Sequence, residues 1–244
     1  KDAPEKVLQF GEGNFLRAFV DYWFDVSNEK VGWNGKCVLV QPIAPGLAKL
    51  INDQEGLYTL YLRGRQNGEK VDAKRVISSV SRCLNPYEKD DYEKMMEVAV
   101  SDDLEYIVSN TTEAGIVYDA SCQQNDCPPA SFPAKLTQVL YARYKAGKAG
   151  IVMLSCELID NNGKELLKCV NQYIEQWGLE EGFSKWVNED CTFCSTLVDR
   201  IVPGRIRDAE EVARLEAENG YHDDLIDVGE VFGVWNIEGP EWLG

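Results

Sequence analysis

The residues whose spacing could do chemistry lie near the start of the chain. Gly11-Glu12-Gly13-Asn14-Phe15-Leu16-Arg17-Ala18 follows the apolar run Val7-Leu8-Gln9-Phe10. A short buried strand, a glycine turn and a helix set backbone N–H groups without intrahelical partners against an anion. The helix dipole favours negative charge at that point. The first glycine makes the tight turn, and the second lets a pyrophosphate approach the backbone. Asn14 is placed to cap a helix over 15–26. A full dinucleotide fingerprint would carry a third glycine at position 16, where the chain has Leu16. The motif by itself therefore leaves an ordinary glycine turn open beside a dinucleotide site.

A second polar cluster, Asn110-Thr111-Thr112-Glu113-Ala114-Gly115, follows the short strand Tyr106-Ile107-Val108-Ser109. Residues just past the carboxyl end of a parallel strand line the ligand crevice of a doubly wound sheet. Thr111, Thr112 and Glu113 could there bind a ribose or a nicotinamide; helix capping is the alternative. Gln41 ends the apolar strand 37–41. An acidic residue at that point selects NAD and a nearby Arg favours NADP. Gln41 is neutral and no basic residue precedes Lys49, so NAD is expected. The alternative is a strand that simply ends at Gln41-Pro42.

Cys191-Thr192-Phe193-Cys194 is a C-x-x-C pair. A zinc site wants a second pair or histidines, and Cys122 and Cys127 have an unusual spacing for it, so no metal site is expected. His222 is the one histidine and sits in the polar stretch Gly220–Asp224, which reads as an exposed loop.

Strands and helices that must position these groups alternate along the chain. Apolar strands read at 7–10, 37–41, 106–109 and 151–156. Helices read at 15–26, 86–100, 133–145, 164–177 and 208–218. Segments 57–63 and 71–82 have β character around an Asn67-Gly68 turn and read as a hairpin inserted after the second strand. A last strand ends the stretch 227–238. This alternation implies an α/β, doubly wound, mainly parallel sheet. The 244 residues, 44% of them hydrophobic, can bury a sizeable core. A net charge of −16 argues against a nucleic-acid backbone or an anionic membrane as the main partner, and no apolar run is long enough to span a bilayer. Eight scattered cysteines without a secretion signal read as reduced thiols in the cytoplasm.

Taken together the motifs resemble the polyol-type long-chain dehydrogenases, the family of mannitol dehydrogenase and the hexuronate reductases. That family opens with G-x-G-x-F-x-R-A, matched by Gly11 to Ala18, which accounts for Leu16. Its T-x-E-x-G segment is matched by Thr111 to Gly115, and its serine-cysteine strand end and N-G loop by Ser155-Cys156 and Asn162-Gly163. V-D-R-I is matched by Val198 to Ile201, and W-x-I-E by Trp235 to Glu238. The motifs fall in order and span essentially the whole chain. The wording L-Q-F-G-E-G-N-F-L-R-A-F and L-V-D-R-I-V-P-G is similar to the branch that acts on tagaturonate.

The resemblance implies a Rossmann-like domain that holds NAD. Arg17 and the N–H groups of residues 13–16 would hold the pyrophosphate, and Thr111 to Glu113 would lie near the nicotinamide half. Ser195, Asp199 and Glu238 would face a substrate cleft. An internal Asp199–Arg200 ion pair is the alternative for that stretch. It implies an NAD-dependent enzyme that moves a hydride between the nicotinamide and a sugar-acid carbon, interconverting D-tagaturonate and D-altronate. Another hexuronate or polyol, such as fructuronate or mannitol, and a non-catalytic nucleotide-binding module are the alternatives. Two departures touch the substrate side: Ser195 stands where the mannitol enzymes have Asn, and Gly239 where they have Asp. The family's catalytic Lys, with an Asn and a His, belongs to a helical C-terminal domain that nothing in residues 1–244 matches. The chain is expected to be the cofactor-binding domain, which binds NAD(H) without turnover.

Overall fold

The computed structural model describes residues 3–112 and 114–243. In chain order the elements are β1 (Glu5–Phe10), α1 (Asn14–Ala18), α2 (Val20–Lys30), β2 (Lys36–Val40), α3 (Ala48–Asp53), β3 (Tyr58–Gln66), β4 (Glu69–Ile77) and β5 (Val80–Leu84). Next come α4 (Lys89–Ala99), β6 (Tyr106–Ser109), α5 (Phe132–Lys145), β7 (Val152–Ser155), α6 (Asn162–Gln176), α7 (Glu181–Lys185) and β8 (Thr192–Asp199). The chain finishes with α8 (Ala209–Asn219), β9 (Asp227–Glu230) and β10 (Val234–Glu238).

Seven strands form one sheet in the order β10-β8-β7-β6-β1-β2-β5. All neighbours are parallel except β10, which closes the β8 edge antiparallel. The order reverses at β1, whose neighbours are β2 and β6, so the topological switch point lies at the carboxyl ends of β1 and β6. Helices cover both faces, so the central strands are apolar at nearly every position. Leu8, Phe10, Val38 and Val40 pack with α4, α5 and α6; Val7, Cys37, Leu39 and Cys83 pack on the opposite face. Gln9 is a polar residue on that second face, fully buried beneath α1 and α2.

The expected hairpin is present as β3 and β4, but it belongs to a three-stranded sheet, because β9 adds parallel to β3. Two stretches, one read as a single strand and one read as ending in a strand, are each divided between the sheets. Residues 71–82 give β4 to the hairpin and β5 to the main sheet. The break at Ser78 is fixed by Asp25 of α2, which accepts from the Ser78 N–H at 2.8 Å and from its hydroxyl at 3.0 Å. Residues 227–238 likewise give β9 to the small sheet and β10 to the large one.

The helix expected over 15–26 starts at Asn14, breaks at Phe19 and runs on to Lys30. A break frees backbone carbonyls. Here the Tyr58 hydroxyl donates to the Arg17 carbonyl at 2.7 Å, and Arg200 Nη1 donates to the Ala18 carbonyl at 2.7 Å. The N-cap is Gly13, not Asn14, whose Oδ1 instead accepts from Arg17 Nη2 at 2.7 Å.

Candidate functional site

The β1–α1 turn opens at the switch point. Gly11 has φ +126°, and a Cβ there would lie 2.8 Å from Leu16 Cδ1 and 2.9 Å from the Asn110 carbonyl oxygen. That position needs both glycine's backbone freedom and its lack of bulk. Gly13 is different. It caps α1 with an ordinary φ of −70°, and a Cβ there would meet nothing within 4 Å. The space beside the first helical N–H groups is therefore open, which is the cradle a pyrophosphate needs.

Under the turn lies a buried polar cluster. Gln9 Nε2 donates to the Gly11 carbonyl at 3.1 Å and to Asp21 Oδ2 at 3.4 Å. Arg17, only 2% exposed, is committed inward. Its Nε donates to the Glu12 carbonyl at 3.2 Å and its Nη1 to the Leu225 carbonyl at 2.9 Å, while Asp227 Oδ2 lies 3.8 Å from Nη2. Its guanidinium also lies over the Tyr58 ring, 5.0 Å from the centroid. Arg17 thus ties the turn to the small sheet, and the open cradle is left to backbone N–H groups. Burial pushes Asp21 up to about 7 and Asp227 up to about 6 against the opposing attraction of Arg17. Phe15, Leu16 and Ala18 pack into the second core.

Glu12 and Gln41 link this turn to the loop after β2. Glu12 is buried, its carboxyl raised chiefly by desolvation, and its Oε1 accepts from the Leu47 N–H at 3.4 Å. Gln41 is enclosed by the loop it braces. Its Nε2 donates to the Ile43 and Ala44 carbonyls at 2.9 and 2.6 Å, and its Oε1 accepts from the Ala48 N–H at 3.1 Å.

A cleft of about 510 Å³ lies across the carboxyl ends of the strands, lined by Phe15, Asn110, Thr112, Leu158, Asp199 and Val202 among others. It brings together Phe15 of the glycine motif, Thr112 of the second cluster and Asp199 of β8. Thr111 turns away from it: its hydroxyl donates to Glu157 Oε1 at 3.1 Å. Glu113 lies outside the described residues. Asp199 is exposed on the cleft wall, while Arg200 spends Nε on the Phe232 carbonyl at 3.1 Å and stacks on Tyr22. The two do not form an ion pair. Ser195 and Glu238 face each other across the β8–β10 ladder and do not line the cleft. The Ser195 hydroxyl is enclosed without a partner, and Glu238 is exposed and pairs with Lys164 at 3.3 Å. A larger hollow, about 910 Å³, sits at the amino ends of β1, β2 and β5, the opposite end from the switch point.

Glu157 and Asn162 escaped the sequence reading as individual residues. Glu157 lies in the loop after β7 and Asn162 opens α6, and the signal was an acid directly following a fully apolar strand. Asn162 Nδ2 donates to the Glu157 and Thr196 carbonyls at 2.9 Å, and its Oδ1 accepts from the Thr196 N–H at 2.9 Å. Cys191, just before β8, and Cys194, within it, belong to the cores on opposite faces of the sheet. Burial pushes the Cys191 thiol up to about 12. Among the described residues no group of three or more His, Cys, Asp or Glu could hold a metal ion. His222 is exposed, as expected, and its charged form is favoured by Asp224 and Glu216.

A parallel sheet in this order, a glycine turn at its switch point and a cleft across the strand ends define a dinucleotide-binding α/β domain of the Rossmann type. Residues 5–243 match the mannitol dehydrogenase Rossmann domain, and the chain belongs to that family. It is 49% identical to the altronate oxidoreductase of Bacillus subtilis (strain 168) over 245 aligned residues, covering 99% of this chain and 50% of that protein. It is 44% identical to the altronate oxidoreductase of Shigella flexneri, covering 98% of this chain and 50% of that protein. The chain spans about half the length of these relatives. The Pseudomonas fluorescens mannitol 2-dehydrogenase, solved as a ternary complex with NAD and D-mannitol, superposes with a TM-score of 0.83 at 22% identity, over 97% of this chain and 50% of that one. A D-sorbitol dehydrogenase in substrate-free form superposes with a TM-score of 0.80 at 23% identity, over 98% of this chain and 51% of that one.

Proposed function

We propose that this chain is the cofactor-binding part of an NAD-dependent oxidoreductase that interconverts D-tagaturonate and D-altronate. The observation that carries the cofactor is the pair Gly11 and Gly13: one glycine folds the turn tightly against Asn110, and the other leaves open space at the helix start. The likeness to altronate oxidoreductases across the full chain supports the sugar-acid substrate. Bound NAD(H) supplies the hydride chemistry.

In this reading the N–H groups of residues 13–16 hold the pyrophosphate, and Glu12, Asn14, Phe15, Leu16, Arg17 and Ala18 shape the cradle. Asn110 and Thr112 border the nicotinamide half, with Glu113 beside them in sequence. Asp199 faces the substrate, and Ser195 and Glu238 support the strand pair behind it. Gln41 favours NAD by holding the loop after β2 folded and free of basic side chains near the ribose. A second, helical domain supplies the acid–base group. Exposed Leu158, Leu197, Ile201 and Phe232, on or next to β7, β8 and β10, fit a face that such a domain covers. The eight free thiols fit a cytoplasmic protein.

Titration of the chain with NADH and NADPH in parallel tests the reading. Tight NADH and weak NADPH binding are expected. A chain with a cooperative melt that binds neither would overturn the cofactor assignment. Extended through the second half of its relatives, the protein should reduce D-tagaturonate with NADH; preference for fructuronate or mannitol would overturn the substrate assignment alone.

A further inference from the structure

The second turn rests on one buried carboxylate. Glu157 is 2% exposed. Its Oε1 accepts from the Thr111 N–H and from the Thr111 hydroxyl, both at 3.1 Å, and its Oε2 accepts from the Ser109 hydroxyl at 3.1 Å. Its own backbone is held in turn, because Asn162 grips the Glu157 carbonyl and ties it to Thr196 of β8. The carboxylate therefore joins the carboxyl ends of β6 and β7 and is itself fixed to β8.

What it holds is a strained piece of chain. Thr112 has φ +71°, a left-handed conformation that a β-branched residue adopts at a cost of about 1–3 kcal/mol. Such strain persists only where the surroundings over-determine it. Here the next fixed points are Thr111, pinned by Glu157, and Gly115, whose N–H donates to the Thr112 carbonyl at 3.0 Å. A Cβ on Gly115 would overlap the Thr111 side chain, so the turn closes directly on the pinned residue. The outcome is an alternation: Asn110 and Thr112 line the cleft, and Thr111 between them faces inward.

We propose that Glu157 is the positioning residue of the nicotinamide half of the cofactor site. It touches no ligand. It pins Thr111, and the pinned turn presents Asn110 and Thr112 to the cleft. This rests on the NAD reading above. The chemistry of the contacts sets which substitutions it tolerates. The Thr111 N–H can only donate, so the atom facing it must accept. The Ser109 hydroxyl can rotate and either donate or accept. A Gln at 157 therefore keeps the pin, with its carbonyl on Thr111 and its amide on Ser109. An Ala leaves Thr111 without an acceptor.

The test compares the wild-type chain with Glu157→Ala and Glu157→Gln. Each is titrated with NADH and with ADP-ribose, which lacks the nicotinamide, and amide hydrogen exchange is followed along the chain. Glu157→Ala should weaken NADH binding about tenfold, the effect of one lost buried hydrogen-bond set. It should leave ADP-ribose within about twofold. Exchange should rise in residues 110–115 and not elsewhere. Glu157→Gln should restore NADH binding to within about threefold of wild type. Equal weakening of both ligands, or of neither, would overturn the proposal, and so would increased exchange spread over the whole chain. If the wild-type chain binds ADP-ribose but no better with nicotinamide attached, the positioning role fails while the cofactor fold stands. If it binds neither, the NAD reading fails and takes this role with it.

Discussion

Two turns face the same cleft from neighbouring strands, and they are built in opposite ways. After β1 the chain uses Gly11 at φ +126°, where glycine carries no steric penalty, and leaves Gly13 open. After β6 it keeps threonines and forces Thr112 to φ +71°. The carboxylates beneath them differ in the same sense. Asp21, under the first turn, receives a long hydrogen bond from Gln9, with the Cys37 thiol and the Tyr58 hydroxyl as weaker neighbours. Glu157, under the second, is met by three donor groups. Where bare backbone must meet a ligand, glycine suffices and the support beneath can be loose. Where side chains must be aimed, the chain is held in strain and the support is fully bonded.

The harshest way to break the first turn is Gly11→Val. The added Cβ meets Leu16 and the Asn110 carbonyl, and a β-branched residue resists that φ. Stability should fall by about 2–4 kcal/mol, and NADH binding should drop by more than about a hundredfold. Gly13→Ala sharpens the point. Its Cβ meets no protein atom, so the melting temperature should stay within about 1–2 °C. It does fill the cradle, so NADH binding should weaken about tenfold. Calorimetric melts and titrations on the two variants separate folding from cofactor approach. Equal loss of stability in both would remove the distinction between the glycines.

The carboxylate under the first turn should gain from neutralisation. Asp21 is wholly buried and pushed up to about 7 by desolvation from an ordinary value of 3.8. The folded chain therefore holds a proton that the unfolded chain releases, from about pH 4 to about pH 7. Stability contributed by this group is present below pH 4, falls as pH rises through that window and is gone above it. Asp21→Asn should stabilise the chain by about 2–4 kcal/mol at pH 8 and flatten the decline between pH 5 and 7. Asp227, raised to about 6, leaves a smaller residual slope. Urea unfolding at pH 5 and pH 8 measures both. A variant no more stable than wild type at pH 8 would show that Asp21 is better supported than its contacts indicate.

The parts of this comparison that could be read from residue order are those fixed by local chemistry. Glycines at 11 and 13 after an apolar strand declare the first turn, and the all-apolar strands declare a sheet buried on both faces. Alternation does not say which sheet a strand will join, so 71–82 reads as one strand and the stretch 227–238 shows only its last one. The division at Ser78 depends on Asp25, 53 residues earlier. The inward course of Arg17 is decided by Leu225, 208 residues away, and by Asp227. Gln41 was legible as the end of an apolar strand, but not as the brace of its own loop, since its partners are carbonyls of an irregular segment. Glu157 was legible only as an acid after an apolar strand, since its importance comes from Ser109 and Thr111, nearly 50 residues before it.

The smallest effect probes the strain itself. Asn occupies the left-handed region at little cost, whereas a β-branched residue does not. Thr112→Asn should therefore stabilise the chain by about 0.5–1 kcal/mol, a rise of about 2–3 °C in melting temperature. If the strain serves to aim the Thr112 side chain at the cleft, the same variant should bind NADH more weakly, not more tightly. ADP-ribose affinity should be unchanged. Gain of stability with loss of nicotinamide-dependent affinity is the pattern of a position where fold and function pull apart. Gain in both would mean that the strained turn carries no aim, and that the two turns differ only in which residues happen to fill them.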